Sequence, residues 1–286
     1  MSYRIFRPFI LAVLLLFAGA KGWAQSGAAA KGNLFIIGGG LRSAELVQTL
    51  IKTAGLKEKD YIIVLPMSSG EPEASFKSIS KQLSATSANS IGCLNFDAST
   101  VNNKQWLDSL KGAKLVFITG GDQNRFMKVV LHTPVYKAIH QAYQNGATVA
   151  GTSAGAAVMS KYMITGEQLL GDTTYHATFD KLWGGNVEFE EGMGLVETVI
   201  IDQHFMKRSR YNRLLSALNA HPDFDCIGID EDTAIIIHGK TVKVAGTSQV
   251  LRIADPVNIK TDKNHLIKMD GLKFSIYTPG DQFKLK

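Results

Sequence analysis

Apolar runs of strand length recur along the first half of the chain, each followed by a stretch whose apolar residues repeat at helical spacing. The runs at 33–37, 61–65, 90–96, 114–118 and 147–150 are nearly continuous, and helical patterns fill 41–53, 73–83, 104–110 and two stretches within 124–145. Strands without polar alternation are buried on both faces, and intervening helices supply the cover. The pattern therefore predicts βαβ units in an α/β fold: a doubly wound, mostly parallel sheet of the flavodoxin-like kind.

From residue 226 the texture changes to short β-like runs at 226–229, 234–238, 241–245, 250–253 and 274–277, with turns between them. These runs are expected either to extend the sheet or to build a small antiparallel cap, giving a β-rich C-terminal part over 226–286. With no internal repeat or low-complexity tract after residue 33, residues 33–286 are expected to form a single domain.

The N-terminus reads differently. Arg4 and Arg7 precede an apolar run over 9–18, and small residues lead to Ala24. That is the layout of a secretory signal peptide, and about ten apolar residues is half of what spans a bilayer. Residues 1–24 are expected to be removed, leaving a Gly/Ala-rich linker over 25–32 and no stable membrane anchor. Export to the periplasm or beyond follows from this reading.

Composition then changes one point. The 286 residues carry 31 Lys and Arg against 25 Asp and Glu, a net charge of +6 and a first hint of nucleic-acid binding. Cleavage after Ala24 takes away Arg4, Arg7 and Lys21 and no acid, leaving 28 bases against 25 acids, or +3. Half of the excess is thus a targeting device, and no nucleic-acid partner is expected. Cys93 and Cys226 both lie in strand-like runs, which leaves one disulfide or two buried thiols equally open. No CxxC, HExxH or His-rich tract occurs, so neither a metal nor a cofactor is expected.

Three segments carry chemistry. Gly151-Thr152-Ser153-Ala154-Gly155 follows an apolar strand and opens a helical stretch, the context in which G-x-S-x-G presents a nucleophilic serine above a sheet edge. The Ala154 amide there is a candidate oxyanion donor. Gly120-Gly121-Asp122-Gln123 ends another strand on the edge where ligands sit in open α/β sheets. Gly121 is the second candidate donor and Gln123 a candidate substrate contact, although Asp122 or Gln123 serves equally well as a helix cap. The apolar run 199–201 ends in Asp202-Gln203-His204, which makes His204 the candidate base among seven histidines. Arg208, Arg210 and Arg213 follow, the last two on one helical face, suited either to solvent or to a carboxylate.

Taken with Ile227-Gly228-Ile229-Asp230-Glu231-Asp232, these motifs in this order resemble the peptidase E/cyanophycinase family of serine hydrolases, over roughly residues 34–234. The resemblance implies a scaffold like that of class I glutamine amidotransferases, with Ser153 as nucleophile and His204 as its base. It places Gln123, Asp202, Gln203, Arg208, Arg210 and Arg213 on positions lining the family's substrate pocket. An acid shortly after the nucleophile is also implied, at Glu167 or, as a second candidate, Asp172. The stretch 165–201 is long for the family, as a lid or a surface excursion. The implied substrate is a peptide or polyamide such as cyanophycin, a polyaspartate with arginines on its side chains, cut to β-aspartyl-arginine dipeptides. Other acidic or isoaspartyl peptides, and a non-catalytic binding role, are the alternatives. A homodimer is the expected assembly.

Overall fold

The computed structural model describes residues 30–286. The expected signal peptide, residues 1–24, and most of the linker over 25–32 lie outside the described residues. The first half alternates strand and helix: β1 (Asn33–Ile37), α1 (Ala44–Ala54), β2 (Tyr61–Leu65), α2 (Pro72–Ser84), β3 (Ser90–Cys93), α3 (Lys104–Gly112) and β4 (Leu115–Ile118). Next come α4 (Gln123–Val130), α5 (Pro134–Gln144), β5 (Thr148–Thr152) and the short α6 (Ala154–Ala157). The five strands pair in the order β3-β2-β4-β5-β1, all parallel.

Successive side chains of a strand point to opposite faces, so each apolar strand feeds two cores. Leu34 and Ile36 join one cluster with α4 and α5, while Phe35 and Ile37 join the other with α1 and α2. The same split holds for Ile63 and Leu65 against Ile62 and Val64, and for Val116 and Ile118 against Leu115 and Phe117. This is the doubly wound arrangement expected from the sequence. Local signals set the helix ends: Ser43 and Asn103 cap α1 and α3 through their side chains, and Gly55 closes α1 in the left-handed region. The strand expected over 90–96 stops at Cys93, and Asp97 gathers the Ser99 and Thr100 amides into a turn.

After a hairpin of β6 (Tyr162–Gln168) and β7 (Val187–Glu191) come β8 (Val199–Gln203), α7 (Tyr211–Ala220) and β9 (Asp225–Ile229). The chain then makes β10 (Thr233–His238), β11 (Thr241–Gly246), β12 (Val250–Val257), the small pair β13 (Lys260–Thr261) and β14 (Ile267–Lys268), β15 (Gly271–Tyr277) and β16 (Gln282–Lys284). The β-rich part does both things expected of it. Strands β10, β11 and β16 continue the main sheet antiparallel from β1, and β12 and β15 join β9 and β8 in a second sheet. Ile201, Ile227 and Ile229 of that second sheet pack into the same core as Leu34 and Ile36, which brings the end of β8 beside the end of β1.

Cys93 and Cys226 are free thiols in different sheets, so the pairing left open above is settled as two thiols. Burial raises the pKa of both. Among the described residues, no helix is long and apolar enough to cross a membrane.

Helix α6 lies directly on backbone. A Cβ added at Gly155 would sit 2.4 Å from the Ile118 carbonyl oxygen, at the end of β4. Gly155→Ala is therefore expected to cost about 2 kcal/mol of stability, read as a lower urea midpoint at unchanged slope. A midpoint equal to that of the wild type would show that α6 has room to shift.

Candidate active site

Ser153 sits between β5 and α6 at φ 54° and ψ −114°, a conformation costly for any residue with a side chain. The two glycines of its motif make the bend possible, because a Cβ at Gly151 would lie 2.1 Å from the Gly155 carbonyl oxygen. The Ser153 amide donates to the Ile37 carbonyl at 3.1 Å, which ties the bend to the end of β1. His204, also at positive φ (50°), ends β8, and its amide donates to the very next carbonyl, Gly38, at 2.7 Å.

The two side chains meet. His204 Nε2 lies 2.8 Å from Ser153 Oγ, and Nδ1 lies 2.7 Å from Glu231 Oε1. A carboxylate only accepts, so Nδ1 carries the proton and Nε2 is left to accept from the serine hydroxyl. Burial lowers the His204 pKa, the Glu231 hydrogen bond and charge raise it, and the Arg208 and Arg210 charges lower it. The net direction is downward, which keeps the ring neutral and able to accept a proton near pH 7.

Glu231 corrects the sequence expectation. Neither Glu167 nor Asp172 is the acid on His204: Glu167 lines the neighbouring cavity, and Asp172 turns to the Thr174 amide and exposed His176. The signal was present in the sequence, since Asp230-Glu231-Asp232 follows an apolar strand just as His204 does. The glycine run Gly38-Gly39-Gly40 is the other feature passed over, and it packs against both side chains. A Cβ at Gly39 would lie 2.3 Å from His204 Cε1, and one at Gly40 would lie 2.8 Å from Glu231 Cβ.

A cavity of about 280 Å³ opens beside Ser153 and gathers most of the expected contacts: Gly121, Gln123, Gln203, Arg208, Arg210 and Arg213. Gly121 has φ 139°, and its side-chain position is filled by the Ser68 carbonyl. Its amide has no partner among the described residues. Ala154 is the first residue of α6, so its amide is one of the free donors of a helix start. Asp122 caps α4, and Gln123 donates to the Ile164 and Thr165 carbonyls, which leaves its own oxygen unspent.

Asp202 is placed differently from the other expected contacts. It is fully buried behind the cavity, where Arg213 holds both its oxygens, with Nε at 2.9 Å, and Arg210 Nη1 approaches at 3.4 Å. One carboxylate thus serves two buried guanidiniums, and burial together with the Arg213 charge pulls the Arg210 pKa down to about 10. The cavity floor keeps an excess of positive charge. Half-buried Glu167 and the Gln203 oxygen, buried without a partner, supply acceptors around it. The end of β6 and the stretch after it form a wall of this cavity through Gly166 and Tyr175, and that stretch is pinned by Arg210 Nε to the Ala177 carbonyl (3.2 Å) and Thr178 Oγ1 to the Arg208 carbonyl (2.6 Å). A larger cavity, about 690 Å³, lies elsewhere, between aromatic residues such as Tyr136 and Tyr162, and contains neither Ser153 nor His204. No cluster suited to a metal ion occurs among the described residues.

A nucleophile elbow, a histidine between serine and carboxylate, and two free amides make the constellation of a serine hydrolase. Residues 34–245 match the family model described as Peptidase family S51. The chain belongs to peptidase family S51. It is therefore a serine-type peptidase, and the fold is shared with solved relatives. A peptidase from an acI-B1 Actinobacterium superposes with a TM-score of 0.66 at 21% identity, covering 91% of this chain and 98% of that one. A putative peptidase E protein from Listeria monocytogenes EGD-e gives 0.53 at 19% identity, covering 76% and 99%. Sequence likeness is closer to the cyanophycinase of Trichormus variabilis, 35% identical over 269 residues (90% of this chain, 87% of that one). The cyanophycinase of Geminocystis herdmanii is 30% identical over 267 residues (90% and 94%).

The electrostatics of His204 set the pH profile. With its pKa lowered, the acid limb of kcat/KM is expected below pH 6.5, the ordinary histidine value. Because Glu231 stabilises the protonated ring, Glu231→Gln should move that limb further down and reduce kcat, whereas Glu167→Gln should leave the limb in place. A limb shifted by Glu167→Gln and not by Glu231→Gln would reverse the assignment.

Proposed function

We propose that this protein hydrolyses cyanophycin, or chains of the same chemistry, to β-aspartyl-arginine dipeptides through Ser153, His204 and Glu231. The observation that carries the proposal is the 2.8 Å Ser153–His204 pair beside a cavity with a buried arginine floor and acceptors around it. A β-aspartyl-arginine unit brings both a carboxylate and a guanidinium, and the cavity offers a partner for each. The curated relatives named cyanophycinase, matched along 90% of the chain, support the same substrate class.

In the proposed reaction His204 Nε2 takes the Ser153 proton while Oγ attacks the carbonyl carbon of a backbone amide. The Gly121 and Ala154 amides receive the developing oxyanion, a contribution of about 3 kcal/mol for each donor. Collapse of the tetrahedral intermediate breaks the C–N bond, and the proton on His204 leaves with the amine. Water, deprotonated by the same ring, then releases the acid from Ser153. Glu231 holds the ring in the required tautomer and stabilises its charged form throughout.

The N-terminal layout of residues 1–24 supports export of the mature enzyme, with residues 33–286 as its catalytic domain. Purified protein incubated with cyanophycin should release β-aspartyl-arginine by mass, and Ser153→Ala should lower the rate by at least about a thousandfold. Release from isoaspartyl or other acidic peptides alone would move the substrate. Near-wild-type turnover by Ser153→Ala would remove the serine mechanism.

A further inference from the structure

Ser153 lines two cavities, and only one of them contains the base. The arginine-floored cavity lacks His204, whereas a second of about 220 Å³ on the other side of Ser153 is bounded by His204, Gly40, Arg42, Ser75, Gly120 and Thr152. We propose that this second cavity is the subsite for the departing amine, and that Arg42 binds a carboxylate carried by that amine. The inference rests on the acyl-transfer mechanism above.

Proton delivery fixes the assignment of sides. The same Nε2 that deprotonates Ser153 must protonate the leaving nitrogen, so the leaving group occupies the side of Ser153 on which His204 stands. The acyl unit is left with the arginine-floored side.

The chemistry of the second cavity fixes the ligand. Arg42 is half-buried there and has no carboxylate within 4.0 Å among the described residues. Its Nε donates to Gln82 Oε1 at 2.9 Å and its Nη1 to the Gly40 carbonyl at 3.4 Å, which holds the guanidinium in place and leaves Nη2 unspent. The Asp232 charge acts on Arg42, but its oxygens already accept from the Ser43 amide at 2.7 Å and Thr247 Oγ1 at 2.9 Å. Thr119 and Thr152 border the same space, and the hydroxyl of each is buried without a partner. A half-buried guanidinium with no carboxylate in contact, beside threonines whose hydroxyls are unpaired, is the complement of a carboxylate. The leaving unit of cyanophycin meets this requirement, because each of its arginines presents a free carboxylate.

Two synthetic substrates test the site: a dimer of β-aspartyl-arginine with free carboxylates on the leaving unit, and the same compound with those carboxylates as primary amides. Wild-type enzyme is expected to prefer the free acid by about tenfold in kcat/KM, the value of one charge-assisted bond at a half-open site. Arg42→Gln should bring that preference close to one, and Arg42→Lys should restore part of it, a pattern that a general loss of folding cannot produce. Equal use of both compounds by the wild type, or an undiminished preference in Arg42→Gln, overturns the Arg42 site and leaves the hydrolase reading intact. Cleavage of neither compound overturns the substrate reading itself and the Arg42 site with it.

Discussion

Three successive carbonyls at the exit of β1 organise the catalytic centre. Ile37 receives the Ser153 amide, Gly38 the His204 amide and Gly39 the amide of Asp232, next to Glu231. The three residues come from different places in the chain: the end of β5, the end of β8 in the second sheet, and the turn between β9 and β10. Each is fixed to the same short backbone stretch, so their mutual distances depend on main-chain hydrogen bonds rather than on long side chains. Glycine at 38–40 is the condition for this. A Cβ at any of the three positions would collide with Asp230, His204 or Glu231. Catalytic geometry is held to fractions of an ångström only where its supports are rigid.

Charge is distributed by the same economy of position. The buried pair of Arg210 and Arg213 on Asp202 would be expensive with either partner missing, since each ion is almost fully removed from water. With two guanidiniums on one carboxylate, the ensemble remains positive, and it faces the cavity beside Ser153. Part of the basic excess of the sequence is thus gathered in a local floor, which does not resemble a nucleic-acid stripe. Arg210 of this group, together with Arg208, lowers the pKa of His204 while Glu231 opposes them. Substrate charge and base strength are therefore coupled through one small set of residues.

Most of the fold could be read from the chain, because near-continuous apolar strands such as Tyr61–Leu65 admit few other environments. Ser153 and His204 were legible for a related reason: each ends a buried strand with polar atoms, at the sheet edge where ligands bind. Glu231 obeys the same rule but lies far along the chain from the segment after the nucleophile, where the resemblance placed the acid. Spatial proximity here comes from β10 returning antiparallel beside β1, a pairing that no local pattern announces. Asp202 shows the converse limit. Its position in the motif was right, but burial turned an expected substrate contact into the counter-ion of the arginines. The division of the C-terminal strands between two sheets was equally beyond local reading, since it depends on which core the β9 side chains enter.

The central claim is that Glu231, reached through the β1 exit, holds the Nδ1 proton of His204 while Nε2 faces Ser153. Proton NMR of protein labelled with ¹⁵N in histidine reads that proton directly. The account predicts a strongly downfield ring resonance coupled to the nitrogen of His204, retained in Glu167→Gln and lost or moved upfield in Glu231→Gln. A downfield resonance that is indifferent to Glu231→Gln, or one that disappears in Glu167→Gln, would contradict it.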